Sequence, residues 1–236
     1  MKTENQLKTV AESYNIGIDD GRKGKVDAYA ELPEYITSDP DYPAFLAARK
    51  NGGTSYSGNS EVLEFLQPEE GMKFVDLGCC LNLMFRSYEK WPSLYYGVDI
   101  SEKVIELLEE IVAKRGLKIG ALVCTSMHET PFDSGFFDIA ECVGSLEYFK
   151  KDFAQQALLE MHRILKPGGK LVLDIPNNAG KMRRFMTLIE AHMGRPDTFD
   201  MLPDEFETML SDYFDIIRRK DVDSVAMVQY FLRKKP

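Results

Sequence analysis

Residues 72–80 read Met72-Lys73-Phe74-Val75-Asp76-Leu77-Gly78-Cys79-Cys80. The mostly apolar run over 72–77 predicts a buried β-strand, because the strands of a parallel sheet are covered on both faces. Gly78 follows at once and favours a tight turn, since glycine adopts positive φ without a steric penalty. Leucines and a methionine then predict a helix over 83–90. The stretch therefore predicts a strand-turn-helix unit, the building block of α/β folds.

The same alternation extends on both sides of this unit. We predict strands over 94–99, 119–124, 137–143 and 170–175, and helices over 60–66, 102–115 and 152–165. Ser101 is suited to cap the helix that follows it, and Gly116 to end that helix. Alternating strands and helices predict a doubly wound parallel sheet with right-handed crossovers.

A different pattern follows residue 176. Two helical stretches, 181–192 and 203–211, precede two strand-like runs, 214–219 and 224–232. The short connection over 220–223 can join only antiparallel neighbours, because a parallel return needs a crossover of about a dozen residues. We therefore predict a mostly parallel sheet of seven strands that ends in an antiparallel hairpin.

Two regions of the sequence differ in the regularity of their predicted secondary structure. Residues 1–59 are broken by glycines and prolines and hold short helical pieces such as 6–14 and 42–50, which predicts a helical N-terminal lid and no independent domain. Residues 60–236 form the main domain, and 177–211 form a helical cap inserted into it.

The charge and composition of the chain limit the kinds of partner that it can bind. The chain has 236 residues and a formal net charge of −9, with its basic residues in short, scattered clusters. Nucleic-acid binding needs a concentrated basic face, so we expect no nucleic-acid substrate. No apolar run approaches the ~20 residues of a membrane-spanning helix, and the N-terminal residues are polar, so we expect no membrane association and a cytoplasmic location. The spacing of the four cysteines indicates reduced thiols, with no metal site.

Four segments in order carry a family resemblance: 73–80, Tyr95-Tyr96-Gly97-Val98-Asp99, 137–142 (Phe-Asp-Ile-Ala-Glu-Cys), and 165–173 (Leu-Lys-Pro-Gly-Gly-Lys-Leu-Val-Leu). Together they resemble the class I S-adenosylmethionine-dependent methyltransferases over roughly the last three-quarters of the chain. The resemblance implies a Rossmann-like sheet, with S-adenosylmethionine as cofactor at the carboxyl ends of its strands.

The resemblance also implies the cofactor-binding residues. Asp99 would accept both ribose hydroxyls, Ile100 would pack on the adenine, and Ser126 replaces the acid that accepts a hydrogen bond from the adenine amino group. The full implied set is Asp76, Gly78, Cys79, Cys80, Asp99, Ile100, Ser126, Met127 and Cys142.

The first turn departs from the family pattern of three alternate glycines. Only Gly78 is kept, and Cys80 and Asn82 stand at the other two positions. Asparagine is the best substitute for glycine in a left-handed conformation, so we expect Asn82 to adopt one. The side chain of Cys80 should narrow the space beside the methionine end of the cofactor.

Substrate contacts are less defined. The segment ending in Leu146-Glu147-Tyr148 is similar to the family's Leu-Glu-His, which implies that Tyr148 lies near the transferred methyl group; a purely structural tyrosine is an equal alternative. Glu147 is a further candidate for substrate contact. On the predicted cap, Arg183 and Arg184 could contact an anionic group of the substrate, although a solvated helical face is the alternative, and His192 is another candidate. No catalytic residue is predicted, because alignment of nucleophile and methyl group can supply most of the rate.

The predicted function is methyl transfer from S-adenosylmethionine to a small-molecule acceptor. Two alternatives remain open: a catalytically inactive methyltransferase-like scaffold, which the lost glycines and Ser126 favour, and an enzyme that uses the same cofactor for another transfer, such as carboxymethyl transfer. A nicotinamide dehydrogenase is disfavoured, because Gly-x-Gly-x-x-Gly is broken at Cys80 and Leu83.

Overall fold

Seven strands form one sheet in the computed structural model, which describes residues 3–24, 29, 31–50 and 59–236. The strands are β1 (Lys73–Leu77), β2 (Leu94–Asp99), β3 (Ala121–Cys124), β4 (Phe137–Cys142), β5 (Leu165–Pro176), β6 (Phe214–Val222) and β7 (Met227–Lys234). Their order across the sheet is β3-β2-β1-β4-β5-β7-β6. Strands β1 to β5 pair in parallel, and β7 pairs antiparallel with both β5 and β6. The predicted fold class is confirmed.

Helices cover both faces of the sheet. They are α1 (Thr3–Arg22), α2 (Glu34–Thr37), α3 (Tyr42–Lys50), α4 (Asn59–Leu66), α5 (Asn82–Phe85), α6 (Glu102–Arg115), α7 (Lys151–Ile164), α8 (Arg183–His192) and α9 (Pro203–Leu210). Short 3-10 turns occupy Tyr88–Lys90, Leu146–Tyr148 and Asp223–Val225. None of the described helices is long and apolar enough to cross a membrane.

Helix α6 has the ends that the sequence predicts. The Ser101 hydroxyl accepts a hydrogen bond from the Val104 amide at 3.1 Å, which satisfies one of the free donors of the first turn. Gly116 has φ +62°, so the chain leaves the helix through the left-handed conformation that glycine favours.

The predicted helix over 83–90 is wrong. Helix α5 stops at Phe85, and a separate 3-10 turn follows because Ser87 has φ +58° and breaks the helical hydrogen-bond ladder. The break turns the Tyr88 ring into the core, where it meets Phe74 at 5.0 Å between ring centroids. Burial of this aromatic ring offsets the cost of the short helix.

The N-terminal segment lies over the rest of the chain. Helix α1 is longer than the predicted 6–14 because it packs along α6, with Arg22 and Glu110 paired at 2.8 Å. Further along, Ile36 and Phe45 form an apolar cluster with Phe185 of α8. Residues 1–2, 25–28, 30 and 51–58 of the predicted lid lie outside the described residues.

The sheet order changes direction between β1 and β4. Strands β2 and β3 lie on one side of β1, whereas β4 and β5 lie on the other. Connections that leave such neighbouring strands in opposite directions open a crevice at the carboxyl ends of the strands, where α/β folds bind ligands.

Candidate functional site

A cleft lies at the carboxyl ends of β1 and β2, the place where α/β folds bind ligands. Strand ends and their turns form its floor. The predicted cofactor residues that line it are Gly78, Cys80, Asp99, Ile100, Ser126 and Met127. The structure thus brings six of the nine predicted positions to one cavity.

Asp99 joins the first two strand ends at the floor of this cleft. Its Oδ2 accepts a hydrogen bond from the Cys80 amide and its Oδ1 accepts one from the Ser101 amide, both at 2.8 Å. The residue is only 7% exposed, and burial raises the pKa of its carboxyl group. A carboxyl group has four lone-pair sites, so Asp99 can still accept a hydrogen bond from a ligand.

The turn after β1 is left-handed at two positions. Gly78 has φ +76° and Cys80 has φ +40°. A Cβ at Gly78 would overlap the Ser145 hydroxyl, so only glycine fits there. Asn82 begins α5 and donates from Nδ2 towards Asp76 Oδ1 at 3.4 Å, so the expected left-handed conformation at Asn82 is wrong. Cys80 carries the strain instead.

Ser126 sits on the opposite wall, with Ile100 and Met127. Its hydroxyl is 2.6 Å from Nδ1 of His128, whose ring contacts Phe153 with 4.9 Å between ring centroids. His128 therefore positions the Ser126 hydroxyl from behind the cleft. The apolar side chains of Ile100 and Met127 can pack against a flat ring, and the Ser126 hydroxyl can hydrogen-bond with a polar group on that ring.

Three predicted cofactor residues have side chains outside the cleft. The fully buried Asp76 carboxyl accepts a hydrogen bond from the Tyr95 hydroxyl at 3.0 Å, on the other face of the sheet. Cys79 is buried in the apolar cluster on that face. Cys142 lies behind Met127, with 3.7 Å between the two sulfur atoms. Burial raises the pKa of both thiols, so they serve as packing residues.

The predicted substrate residues of α8 also lie elsewhere. Arg183 pairs with Asp197 and donates from Nε to Asn178 Oδ1 at 2.7 Å, which braces the segment after α8. Arg184 donates from both Nη atoms to Asp39 at 2.7 Å, which ties α8 to the N-terminal segment. Both guanidinium groups therefore already hold carboxylates, and neither residue lines the cleft.

His192 is exposed and pairs with a neighbouring surface side chain. Its Nδ1 is 3.0 Å from the Tyr35 hydroxyl. His192 does not line the cleft, and its substrate role stays a prediction.

Helix α1 contributes three cleft residues that the sequence analysis missed. Leu7, Val10 and Tyr14 line the cavity opposite the strand ends. Their spacing of three and four residues places them on one helical face, which is the signal that predicts a buried stripe. The N-terminal segment therefore closes the cleft from above.

A buried polar cluster adjoins the cleft beneath α1. The hydroxyls of Tyr14 and Tyr148 are 3.1 Å apart, and Tyr148 donates to Glu190 Oε2 at 3.5 Å. The Arg195 guanidinium lies 4.6 Å from the Tyr14 ring centroid and pairs with Glu190 at 3.5 Å. Glu147 is the fifth member; its buried Oε2 has no hydrogen-bond partner among the described residues. Of the five, the sequence analysis proposed only Glu147 and Tyr148.

Comparisons with known proteins agree with this geometry. A family model described as a methyltransferase domain matches residues 75–173, from β1 to β5. Sterol 4-C-methyltransferase strm-1 of Caenorhabditis elegans is 29% identical over 116 residues, which are 48% of this chain and 33% of that protein. Ubiquinone biosynthesis O-methyltransferase of Coxiella burnetii is 27% identical over 134 residues, 57% of this chain and 54% of that protein.

The chain thus spans about a third to a half of the length of these curated relatives. Among solved structures, geranyl diphosphate C-methyltransferase from Streptomyces coelicolor shares the fold over 98% of this chain and 97% of its own, with a TM-score of 0.67 and 14% identity. Residues 75–173, from β1 to β5, therefore match a methyltransferase domain, and the fold is shared over nearly the whole chain.

Proposed function

We propose that this protein transfers a methyl group from S-adenosylmethionine to a small-molecule acceptor. The observation that carries the proposal is the position of Asp99: a buried carboxyl at the end of the second strand, open to the cleft and anchored to the first turn by the Cys80 amide. An acid in this place is suited to accept hydrogen bonds from vicinal hydroxyls such as those of a ribose.

The other walls fit the remaining parts of the cofactor. Ile100 and Met127 offer apolar contact to a purine ring, and the Ser126 hydroxyl can accept a hydrogen bond from its amino group. The left-handed turn at Gly78 and Cys80 opens the backbone towards the methionine end. When bound, the cofactor supplies a methyl group already activated on a sulfonium. The chain then has to align an acceptor and keep water out.

A small acceptor suits the closed shape of the cleft. Helix α1 covers it through Leu7, Val10 and Tyr14, which supports a lid role for the N-terminal segment. The net charge of −9 disfavours a nucleic-acid substrate. We also propose a cytoplasmic location, as expected from the sequence.

An acceptor screen tests the proposal. The purified protein is incubated with methyl-labelled S-adenosylmethionine and a panel of small hydroxyl, amine, thiol and carbon nucleophiles, and the products are identified by mass. We expect labelled methyl product with the native protein and a strong loss with Asp99→Ala, whereas Asp138→Ala, a change at the opposite end of the sheet, retains transfer. Absence of any transferred group from a protein that binds the cofactor would favour the scaffold alternative, and a heavier transferred group would favour other transfer chemistry.

A further inference from the structure

The hydroxyl groups of Tyr14 and Tyr148, beneath α1, connect the cleft with the carboxyl group of Glu190. We propose that Tyr14, Tyr148 and Glu190 form a proton relay, and that the reacting group of the acceptor is therefore a hydroxyl, which reaches the cleft protonated. This inference rests on the proposed function and names its substrate class.

The direction of the hydrogen bonds defines the relay. Tyr148 donates to Glu190 Oε2 at 3.5 Å, so its single proton is used in that bond. Tyr14, 3.1 Å away, then donates to the Tyr148 oxygen. The lone pairs of the Tyr14 oxygen remain available as acceptors, and Tyr14 lines the cleft. A ligand in the cleft that donates an O–H to Tyr14 would complete a chain of three hydrogen bonds.

The charged groups around the relay favour Glu190 as the final acceptor of the proton. Arg195, paired with Glu190 at 3.5 Å, favours the ionised form of that carboxyl group against the burial that raises its pKa. Burial, with Asp174 and Glu190 nearby, raises the pKa of Glu147 well above its usual value. The Glu190 carboxyl group therefore faces the guanidinium of Arg195.

Burial also raises the pKa of both tyrosines, so neither ionises at neutral pH. They pass a proton on without becoming the base themselves. Arg195 supports this arrangement from the side, because its guanidinium lies against the face of the Tyr14 ring and fixes the position of that ring.

The proton and electron balance is complete. As the acceptor oxygen bonds to the methyl carbon, the carbon–sulfur bond of the sulfonium breaks and its electron pair stays on sulfur. The acceptor proton moves to the Tyr14 oxygen, the Tyr14 proton to the Tyr148 oxygen, and the Tyr148 proton to Glu190 Oε2. Glu190 ends neutral and releases its proton when the cleft opens.

The cleft walls indicate what carries the hydroxyl. On the cleft side, Val10 and Phe149 line the cavity together with Tyr14 and Tyr148. Such walls favour a hydroxyl on an apolar or aromatic frame, because a more polar frame would lose hydrogen bonds with water on entering.

Binding of phenol and of anisole tests the relay without catalysis. Both carry an oxygen on the same ring, but only phenol donates a hydrogen bond. Their dissociation constants are measured by ligand-observed NMR on protein saturated with S-adenosylhomocysteine, whose binding is measured first by calorimetry. We expect phenol to bind about tenfold more tightly than anisole, the effect of one hydrogen bond of roughly 1.4 kcal/mol.

Tyr14→Phe keeps the ring under Arg195 and removes only the acceptor oxygen. We expect it to abolish the preference for phenol while leaving S-adenosylhomocysteine affinity unchanged. Tyr35→Phe, which alters an exposed tyrosine bonded to His192, is the matched control and should change neither. Equal or undetectable binding of the two ligands to the native protein overturns the relay, as does loss of S-adenosylhomocysteine binding in Tyr14→Phe.

The acceptor screen supplies a second readout. With a hydroxyl acceptor, Glu190→Gln should lower kcat at least tenfold and leave KM within threefold, because Glu190 acts through Tyr148 and does not touch the acceptor. A product methylated on carbon, sulfur or nitrogen overturns the relay and leaves the methyltransferase proposal intact. Failure of the native protein to bind S-adenosylhomocysteine rejects both.

Discussion

Replacing Cys80 by glycine and by alanine isolates the strain in the first turn. Cys80 has φ +40°, a conformation that costs a residue with a Cβ roughly 1–2 kcal/mol. Glycine removes that cost but gains freedom in the unfolded chain, which costs about 0.4–1 kcal/mol. Alanine removes the thiol and keeps the Cβ, and therefore keeps the strain. We expect Cys80→Gly to be more stable than Cys80→Ala by about 1 kcal/mol.

The assay is urea unfolding of the two variants side by side, with equal slopes required before their free energies of unfolding are compared. The same substitutions enlarge the methionine end of the cleft, which Cys80 lines. Calorimetry should therefore show S-adenosylhomocysteine bound at least as tightly by both variants as by the native protein. A glycine variant that is less stable than the alanine variant refutes the assignment of strain to Cys80.

Three further predictions concern carboxyl groups and their partners. Burial raises the pKa of Asp76 to about 8. The free energy of unfolding should therefore be highest below the unfolded-state pKa of about 4 and fall by up to about 1.4 kcal/mol per pH unit as the pH rises towards 8. Asp76→Asn should remove this slope in urea titrations, and equal slopes for the variant and the native protein would contradict the assignment. Asp99→Asn should weaken S-adenosylhomocysteine binding about 10- to 100-fold in calorimetry, since hydrogen bonds to a charged group contribute about 1.5–3 kcal/mol; an unchanged affinity would remove Asp99 from the site. Arg184→Ala should lower the free energy of unfolding only slightly, because the pair with Asp39 is exposed on the arginine side, and should leave cofactor affinity unchanged; a tenfold loss of cofactor affinity would place Arg184 at the cofactor site.

Local signals made much of the fold predictable. The cap at Ser101 and the stop at Gly116 bounded α6, and the short 220–223 connection required the antiparallel pair that β6 and β7 form. Such features depend on a few neighbouring residues. The broken helix at Ser87 escaped prediction because its cause is tertiary: the core takes up Tyr88.

The site was predictable only in part, for a similar reason. Strand alternation separates Asp76 from the cleft, and a stricter reading of that period would have excluded its side chain. The Tyr14 stripe on α1 was likewise visible in the sequence. The contact between Arg184 and Asp39 spans 145 positions, and no local pattern marks it. Glu190 and Arg195 likewise meet Tyr148 and Tyr14 through contacts between residues far apart in the sequence.

Calorimetric titration of S-adenosylmethionine and S-adenosylhomocysteine into the purified, ligand-free protein, with NAD as control, bears on every proposal made for the cleft. We expect micromolar dissociation constants for both sulfur compounds, about 8 kcal/mol of binding free energy, and no heat with NAD. No binding of either sulfur compound to a folded sample, or equal binding of NAD, would contradict the assignment of this cleft to S-adenosylmethionine.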